Sequence, residues 1–188
     1  MRLLSRLLLI LSALIVILLI GSFILPQKQQ VKRSVNIAAP AAQIYPYLVN
    51  PKKFTEWSPW SKIDPNMKVQ FVGPESGVGA GMTWQSDQPS VGNGSWTIAN
   101  AKVNESVDVN MDFGDQGLAT SSFSILRSGN TNQVTWGFET DAGMNPIMRW
   151  MGLLMDKMVG SEYEKGLNEL KAVMEKNTKT PNSGGETL

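Results

Sequence analysis

The fold is decided by the stretch Val107-Asp108-Val109-Asn110-Met111-Asp112-Phe113, in which apolar and polar side chains alternate. Successive side chains of a β-strand point to opposite faces, so this alternation predicts a strand with one apolar and one polar face. The same period of two extends from Lys68 to Glu139 and is interrupted by turn sequences such as Gly73-Pro74. We therefore expect an antiparallel meander of six strands whose apolar face needs a cover.

The C-terminal part of the sequence predicts that cover. Five methionines recur at steps of four and three, which places them along one stripe of a helix: Met144, Met148, Met151, Met155 and Met158. A displaced apolar stripe with Tyr163, Leu170 and Val173 continues the same rhythm. We expect a long amphipathic helix lying across a curved sheet, with a soft and adaptable thioether wall.

The segment before the meander adds one strand and two short helices. Alternating apolar residues from Val31 to Ile37 predict the first strand. Pro40 starts a helix that Pro46 must bend or shorten, and Asn50 followed by Pro51 predicts the cap of a second helix. The predicted class is α+β, with seven antiparallel strands and a long C-terminal helix.

An apolar run from Leu7 to Leu25 precedes the domain. Nineteen helical residues reach about 28 Å, close to the hydrocarbon thickness of about 30 Å. A cleaved signal peptide is the alternative, but its apolar core is usually shorter and ends in a small-residue cleavage site, whereas Gly21 to Pro26 fits such a site poorly. We expect an uncleaved single-pass anchor, with the folded domain on the extracytoplasmic, periplasmic side.

Length and composition indicate how the chain is divided and which partners are not expected. We expect an anchor and linker at 1–30, one domain at 31–176 and a disordered polar tail at 177–188. The formal net charge is +1 and no basic cluster appears, so a nucleic-acid partner is not expected. The oligomeric state is left open.

The order of elements and several motifs resemble the START-like, Bet v 1-like (SRPBCC) superfamily, in its polyketide cyclase/dehydrase branch. The motifs are Val35 to Pro40 leading into the first helix, Phe54 to Trp60, Gly77 to Trp84, and Met155 to Gly160 leading into Tyr163 to Leu167. The resemblance implies a helix-grip fold, in which an incomplete barrel wraps around the C-terminal helix and leaves a hydrophobic ligand cavity. It implies no particular reaction, because such folds host carriers, receptors and cyclases alike.

The residues offer little catalytic equipment. The chain has no histidine and no cysteine, which removes the commonest proton-transfer group and thiol nucleophiles. We therefore lean away from an enzyme and expect no catalytic residue, no metal site and no cofactor. Ser121-Ser122 is interpreted as a strand surface, and Arg149 as a surface residue or, alternatively, as a partner for a polar headgroup.

The aromatic and methionine residues predict the site. We expect a ligand cavity between sheet and terminal helix, lined by Trp57, Trp60, Trp84, Trp96, Met111, Trp136, Met148, Met151 and Met155. The first hypothesis is a membrane-anchored module that binds a hydrophobic, lipid-like small molecule. The second is a cyclase/aromatase-like enzyme in which Glu56 or Tyr47 moves a proton. The third is a protein-interaction domain with a collapsed cavity.

Overall fold

The computed structural model describes residues 2–179 and the side chains of residues 4–176. One long helix lies at each end, and four short helices follow the first strand. The helices are α1 (Arg2–Ser22), α2 (Ala41–Ile44), α3 (Pro46–Val49), α4 (Pro51–Trp57), α5 (Pro59–Ile63) and α6 (Pro146–Lys179).

Seven antiparallel strands form one sheet in the order β1-β7-β6-β5-β4-β3-β2. Six of them form the expected meander, and the first strand joins the last one. Their bounds are β1 (Lys28–Ile37), β2 (Lys68–Val72), β3 (Gly81–Gln85), β4 (Asn93–Lys102), β5 (Ser106–Asp112), β6 (Leu118–Ser128) and β7 (Thr131–Asp141). The predicted α+β class and the curved seven-stranded sheet are therefore confirmed.

The helical segment between β1 and β2 is more broken than expected. Pro46 divides the first predicted helix into α2 and α3, and Pro59 starts α5 after α4 ends at Trp57. The prediction of two short helices is thus wrong in number, because each proline lacks the N–H that a continuous helix requires. Asn50 caps α4 as expected, since its Oδ1 accepts hydrogen bonds from the backbone N–H groups of Lys52 and Lys53.

The C-terminal helix has two different halves. In the second half Tyr163, Leu167, Leu170 and Met174 are all buried against the sheet and the short helices. The first half carries the methionines, apart from Met144, which lies before the first helical residue, and most of its apolar side chains stay exposed. The long helix is confirmed, but only its second half closes the core.

Arg33 of β1 forms ion pairs with α6. Its guanidinium donates to both carboxylate oxygens of Asp156, at 2.9 and 3.0 Å, and to Glu164 at 2.6 Å. These hydrogen bonds raise the pKa of Arg33, and the hydrogen bond from Arg33 lowers the pKa of Asp156. The guanidinium passes directly over Gly160, where any Cβ would overlap it. These hydrogen bonds join the middle of α6 to the β1 edge of the concave face.

The N-terminal helix stands outside this core. Its segment Leu4–Ser22 has a mean hydropathy of 2.7. Residues 4–20 are exposed, and only the end of the helix is covered, where Gly21 is half-buried and Ser22 is buried. At about 1.5 Å per residue, the 21 residues of α1 reach about 31 Å, long enough by length and composition to cross a membrane. The helix ends at Ser22, so Phe23 to Leu25 of the predicted span follow it.

Two predicted boundaries can be compared with the helices and strands. Strand β1 begins at Lys28, three residues before the predicted start of the domain at Val31. Helix α6 continues to Lys179, into the segment predicted as a polar tail. Residues 180–188 of that predicted tail lie outside the described residues.

We predict that Gly166→Ala destabilises the domain, although alanine is the better helix former. A Cβ at this position would lie 2.8 Å from the Trp136 ring and 3.0 Å from Pro59, and neither group is flexible. We expect the free energy of unfolding to fall by about 1 kcal/mol. Overpacking destabilises by about 1–3 kcal/mol, and the higher helix propensity of alanine offsets about 1 kcal/mol of this. Thermal unfolding followed by circular dichroism should show a melting temperature lowered by about 2–4 °C.

The matched control for this prediction is Asn168→Ala, at an exposed position of the same helix. It should leave the melting temperature unchanged or raise it slightly, because it adds helix propensity without a steric overlap. An equal gain in both variants would contradict close packing at Gly166.

Candidate functional site

A pocket lies between the concave face of the sheet and the first half of α6. It has a volume of about 560 Å³, and its walls come from β3 to β7, from α4, α5 and α6, and from two loops. Helix α6 lies near β1, where Arg33 binds it, and Phe54 of α4 stacks on Trp96 of β4, so only the part of the concave face between these contacts is left uncovered. The pocket occupies this uncovered space.

The inner end of the pocket is aromatic. Trp136 and Tyr163 stack with their ring centroids 3.8 Å apart and their planes 11° from parallel. Phe54 stacks on Trp96 at 5.2 Å, and both side chains also line the pocket. These rings are large, rigid and mutually supported, so the inner end keeps its shape.

Methionines form the side walls. Met148, Met151, Met155 and Met158 of α6 face the pocket from one side, and Met82 and Met111 face it from the sheet. An unbranched thioether side chain has several rotatable bonds and tolerates different neighbours. The pocket thus combines a fixed aromatic end with side walls that can adapt to the shape of a ligand.

The structure brings together most of the residues predicted for the cavity. Eight of the nine line the pocket: Trp60, Trp84, Trp96, Met111, Trp136, Met148, Met151 and Met155. Trp57 does not lie among the lining residues. It is fully buried behind the wall, where it packs edge to face on Trp136 at 5.1 Å and donates its indole N–H to the carbonyl of Tyr47.

Ser121 is a pocket residue that the sequence interpretation missed. It was expected on a strand surface, but its side chain is buried and lines the pocket. Its Oγ accepts a hydrogen bond from Trp136 Nε1 at 2.9 Å and donates one to the carbonyl of Gly137 at 3.0 Å. Burial raises the pKa of the neighbouring Tyr163 phenol, which therefore stays neutral. The two hydroxyls are polar points at the inner end of an otherwise apolar pocket.

Two loops border the opening. The loop before β4 contributes residues 89–92 together with Asn93, the first residue of β4, and the loop before β6 contributes residues 115–116. The rings of Trp84 and Phe113, which also line the pocket, meet edge to face at 5.9 Å. The two loops and the start of β4 carry the polar groups Asn93, Asp115 and Gln116. Such loop residues follow no hydrophobic period, and periodicity therefore could not predict them as pocket residues.

Arg149 corrects a second interpretation, because it is neither a surface residue nor part of the pocket lining. Its side chain is buried and donates to the carbonyls of Gly143 at 2.9 Å and Ser22 at 3.2 Å. Ser22 is the last residue of α1, and a cation near a helix C-terminus is favourable. Arg149 therefore joins α1 to α6.

The residues named for the enzyme hypothesis lie elsewhere. Glu56 is exposed, and Tyr47 is half-buried beneath the ammonium group of Lys53. Neither is among the residues that line the pocket. The proposed proton transfer by Glu56 or Tyr47 therefore has no support in this geometry.

A second depression lies on the outer face of the sheet. Its volume of about 530 Å³ is similar to that of the pocket, but polar side chains such as Asn110, Thr120 and Glu139 line it. Volume alone does not distinguish the two. The aromatic and thioether walls single out the inner pocket as the candidate site for an apolar ligand.

The sheet, the gripping helix and the pocket between them define a START-like, Bet v 1-like protein of the helix-grip class. The chain belongs to the family described as polyketide cyclase / dehydrase and lipid transport, which matches residues 28–175. A search of curated protein sequences gives no match.

Solved structures agree with this class. Norcoclaurine synthase from Thalictrum flavum, a point mutant in complex with a transition-state analogue, has a TM-score of 0.62 at 10% identity, covering 80% of this chain and 96% of that one. Protein Ms6760 from Mycobacterium smegmatis has a TM-score of 0.56 at 16% identity, covering 79% and 92%. The Aha1 dimer from Colwellia psychrerythraea has a TM-score of 0.54 at 15% identity, covering 78% and 96%. At these identities the likeness shows the fold alone.

We predict that Ser121→Ala destabilises the domain by about 1–3 kcal/mol, because Trp136 Nε1 loses its acceptor in a buried place. Urea unfolding followed by tryptophan fluorescence would measure the loss. The matched control is Ser122→Ala, since Ser122 is exposed on the other face of the same strand. Equal effects in both variants would show that the hydrogen bond at Ser121 contributes nothing specific.

Proposed function

We propose that this protein is a membrane-anchored module that binds an apolar or amphipathic, lipid-like small molecule in the pocket beneath α6. The observation that carries the proposal is the open pocket of about 560 Å³ with aromatic and thioether walls. Its size lies within the range of about 300–1,000 Å³ that is typical of small-molecule sites. The family's description includes lipid transport, which fits a ligand of this class.

The distribution of polar groups suggests how such a ligand is oriented. The side walls are methionines and aromatic rings, whereas polar atoms occur at the inner hydroxyls and along the loops at the opening. An apolar chain would lie between the walls, and a polar headgroup would lie near Asp115, Gln116 and Asn93. Displacing poorly held water from the apolar walls then supplies most of the binding free energy.

The contacts of α1 support a retained anchor over a removed signal peptide. The buried side chain of Arg149 donates to Ser22, and the Trp150 indole donates to the carbonyl of Leu18 at 3.0 Å. The Trp150 ring also packs on Gly21, where a Cβ would lie 3.2 Å from it. Removal of α1 would leave the guanidinium of Arg149 short of an acceptor, which costs stability.

The side of the membrane is part of the proposal. A single span at the N-terminus with a short basic leader, here Arg2 and Arg6, usually leaves that leader in the cytoplasm. The folded domain then lies on the extracytoplasmic side. In that position it would hold or pass on a lipid-like molecule at the outer surface of the cytoplasmic membrane.

We predict that Met155→Trp lowers ligand occupancy about tenfold or more. The larger ring occupies part of the pocket, so a ligand must either displace the ring or bind in a smaller space. A loss of about 1.4 kcal/mol in binding free energy weakens binding tenfold. The full chain would be isolated in polymer nanodiscs, and molecules that remain bound after exchange of the surrounding lipid would be identified by mass spectrometry.

The matched control for this prediction is Leu153→Trp. Leu153 is exposed on the same helix and is not among the residues that line the pocket. It should retain the ligand content of the unmodified protein. An unmodified protein that is always empty, and that takes up no fatty acid or apolar dye, would contradict the binding function itself.

We predict that a cysteine introduced at Val103 reacts with a membrane-impermeant maleimide in intact cells. Val103 lies in the exposed turn between β4 and β5, and the chain has no cysteine of its own, so the label reports one position. Labelling should be the same before and after the cells are opened. Labelling that occurs only in opened cells would place the domain in the cytoplasm.

A further inference from the structure

The exposed apolar residues of α6 are confined to its first half. Five of them form what we call the apolar face of α6: Ile147, Trp150, Met151, Leu154 and Met158. Their spacing of three and four residues places them on one side of the helix. Ile147 is 71% exposed and Leu154 is 51% exposed. In the second half of the helix, by contrast, the large apolar side chains with described positions are turned inward. The apolar face is therefore a local feature of the pocket end.

The position of this face relative to α1 is fixed by hydrogen bonds. The Trp150 indole donates to Leu18, and Arg149 donates to Ser22, the last residue of α1. Leu18 lies four residues before Ser22, so at about 1.5 Å per residue Trp150 meets α1 about 6 Å from its end. When α1 spans a bilayer, its end lies near the water interface. Trp150 then lies at the depth where tryptophan is enriched in membrane proteins.

The same face borders the opening of the pocket. Met151 and Met158 belong to the apolar face and also line the pocket. Across the opening, Leu118 at the start of β6 is 70% exposed and lines the pocket as well. A surface that covered the apolar face would therefore also cover the opening.

The charged residues of this half of the helix allow contact with lipid. Between Pro146 and Met158 they are Arg149, Asp156 and Lys157. Arg149 is turned toward α1, and Asp156 is paired with Arg33. Lys157 has a long side chain that can reach from an apolar surface to lipid phosphates. No buried charge would have to lose its partner when the face meets a bilayer.

We propose that the apolar face of α6 rests in the interfacial layer of the bilayer that α1 crosses, so that the pocket opens into lipid. The inference rests on the anchor in the proposed function, and it adds the route by which the ligand enters. The continuity of the face with α1 selects the bilayer as its occupant, because α1 holds Trp150 at the interface. A lipid-like molecule then passes between bilayer and pocket without crossing water.

The test uses the full chain in lipid nanodiscs, with single cysteines carrying a fluorescent label. Cysteines at Ile147 and Leu154 probe the apolar face. A cysteine at Ile10 probes the middle of α1. Cysteines at Val103, in the turn between β4 and β5, and at Leu126 of β6 are matched controls, since both are exposed apolar residues outside α6. Each label would be exposed to nitroxide-bearing lipids and, separately, to a water-soluble quencher.

We expect the labels at Ile147 and Leu154 to lose fluorescence to lipid nitroxides and to be protected from the water-soluble quencher. The labels at Val103 and Leu126 should be quenched by the water-soluble quencher and not by the lipid nitroxides. Quenching of 147 and 154 from water, with the Ile10 label in lipid, would overturn the docked face while leaving the anchor intact. Protection of 147 and 154 from both quenchers would assign the face to a protein partner or a second copy, and would also overturn it.

A label at Ile10 that is quenched from water would overturn the anchor and, with it, the docked face. The quenching results do not decide whether the pocket binds a ligand, because ligand occupancy is measured separately with Met155→Trp and its control. The failure of this inference is therefore distinguishable from the failure of the binding function.

Discussion

The contact between β1 and α6 is the constraint on which the rest of the structure depends. Arg33 binds Asp156 and Glu164 at once, and the absence of a side chain at Gly160 lets the guanidinium cross the helix. The helix therefore rests on one edge of a curved sheet and not along its middle. The uncovered part of the concave face becomes the pocket, so the same contact that completes the fold also creates the candidate site.

The two halves of α6 therefore have different roles. The second half buries Tyr163, Leu167 and Leu170 and fixes the helix in place. The first half leaves several neighbouring apolar side chains exposed, and a contiguous exposed apolar patch is typical of an interaction surface. In the proposed arrangement this surface meets lipid, and α1 holds it there through Arg149 and Trp150. Anchor, pocket and exposed face then form one functional unit at the membrane.

Periodicity predicted the sheet, the long helix and most of the pocket, because strand and helix spacing determine which side chains share a face. The same rule places Ser121 with Ala119 and Phe123 on the inner face, yet a serine was interpreted as surface. Trp57 and Arg149 depend on packing between distant elements, which no local pattern contains. The proline breaks in the short helices were visible in the sequence, but only coordinates show how the chain continues after each one.

The pairing of the first strand has a consequence for biosynthesis. Strand β1 pairs with β7. Even the paired residues that lie closest along the chain, Ile37 and Asn132, are separated by the four short helices and by strands β2 to β6. During translation β1 therefore waits, with its hydrogen-bonding edge open, until β7 has left the ribosome. In the proposed arrangement α1 has by then entered the membrane, and the unfinished concave face lies beside lipid. On that proposal, the nascent chain would complete its fold beside the membrane, where the mature protein would bind its ligand.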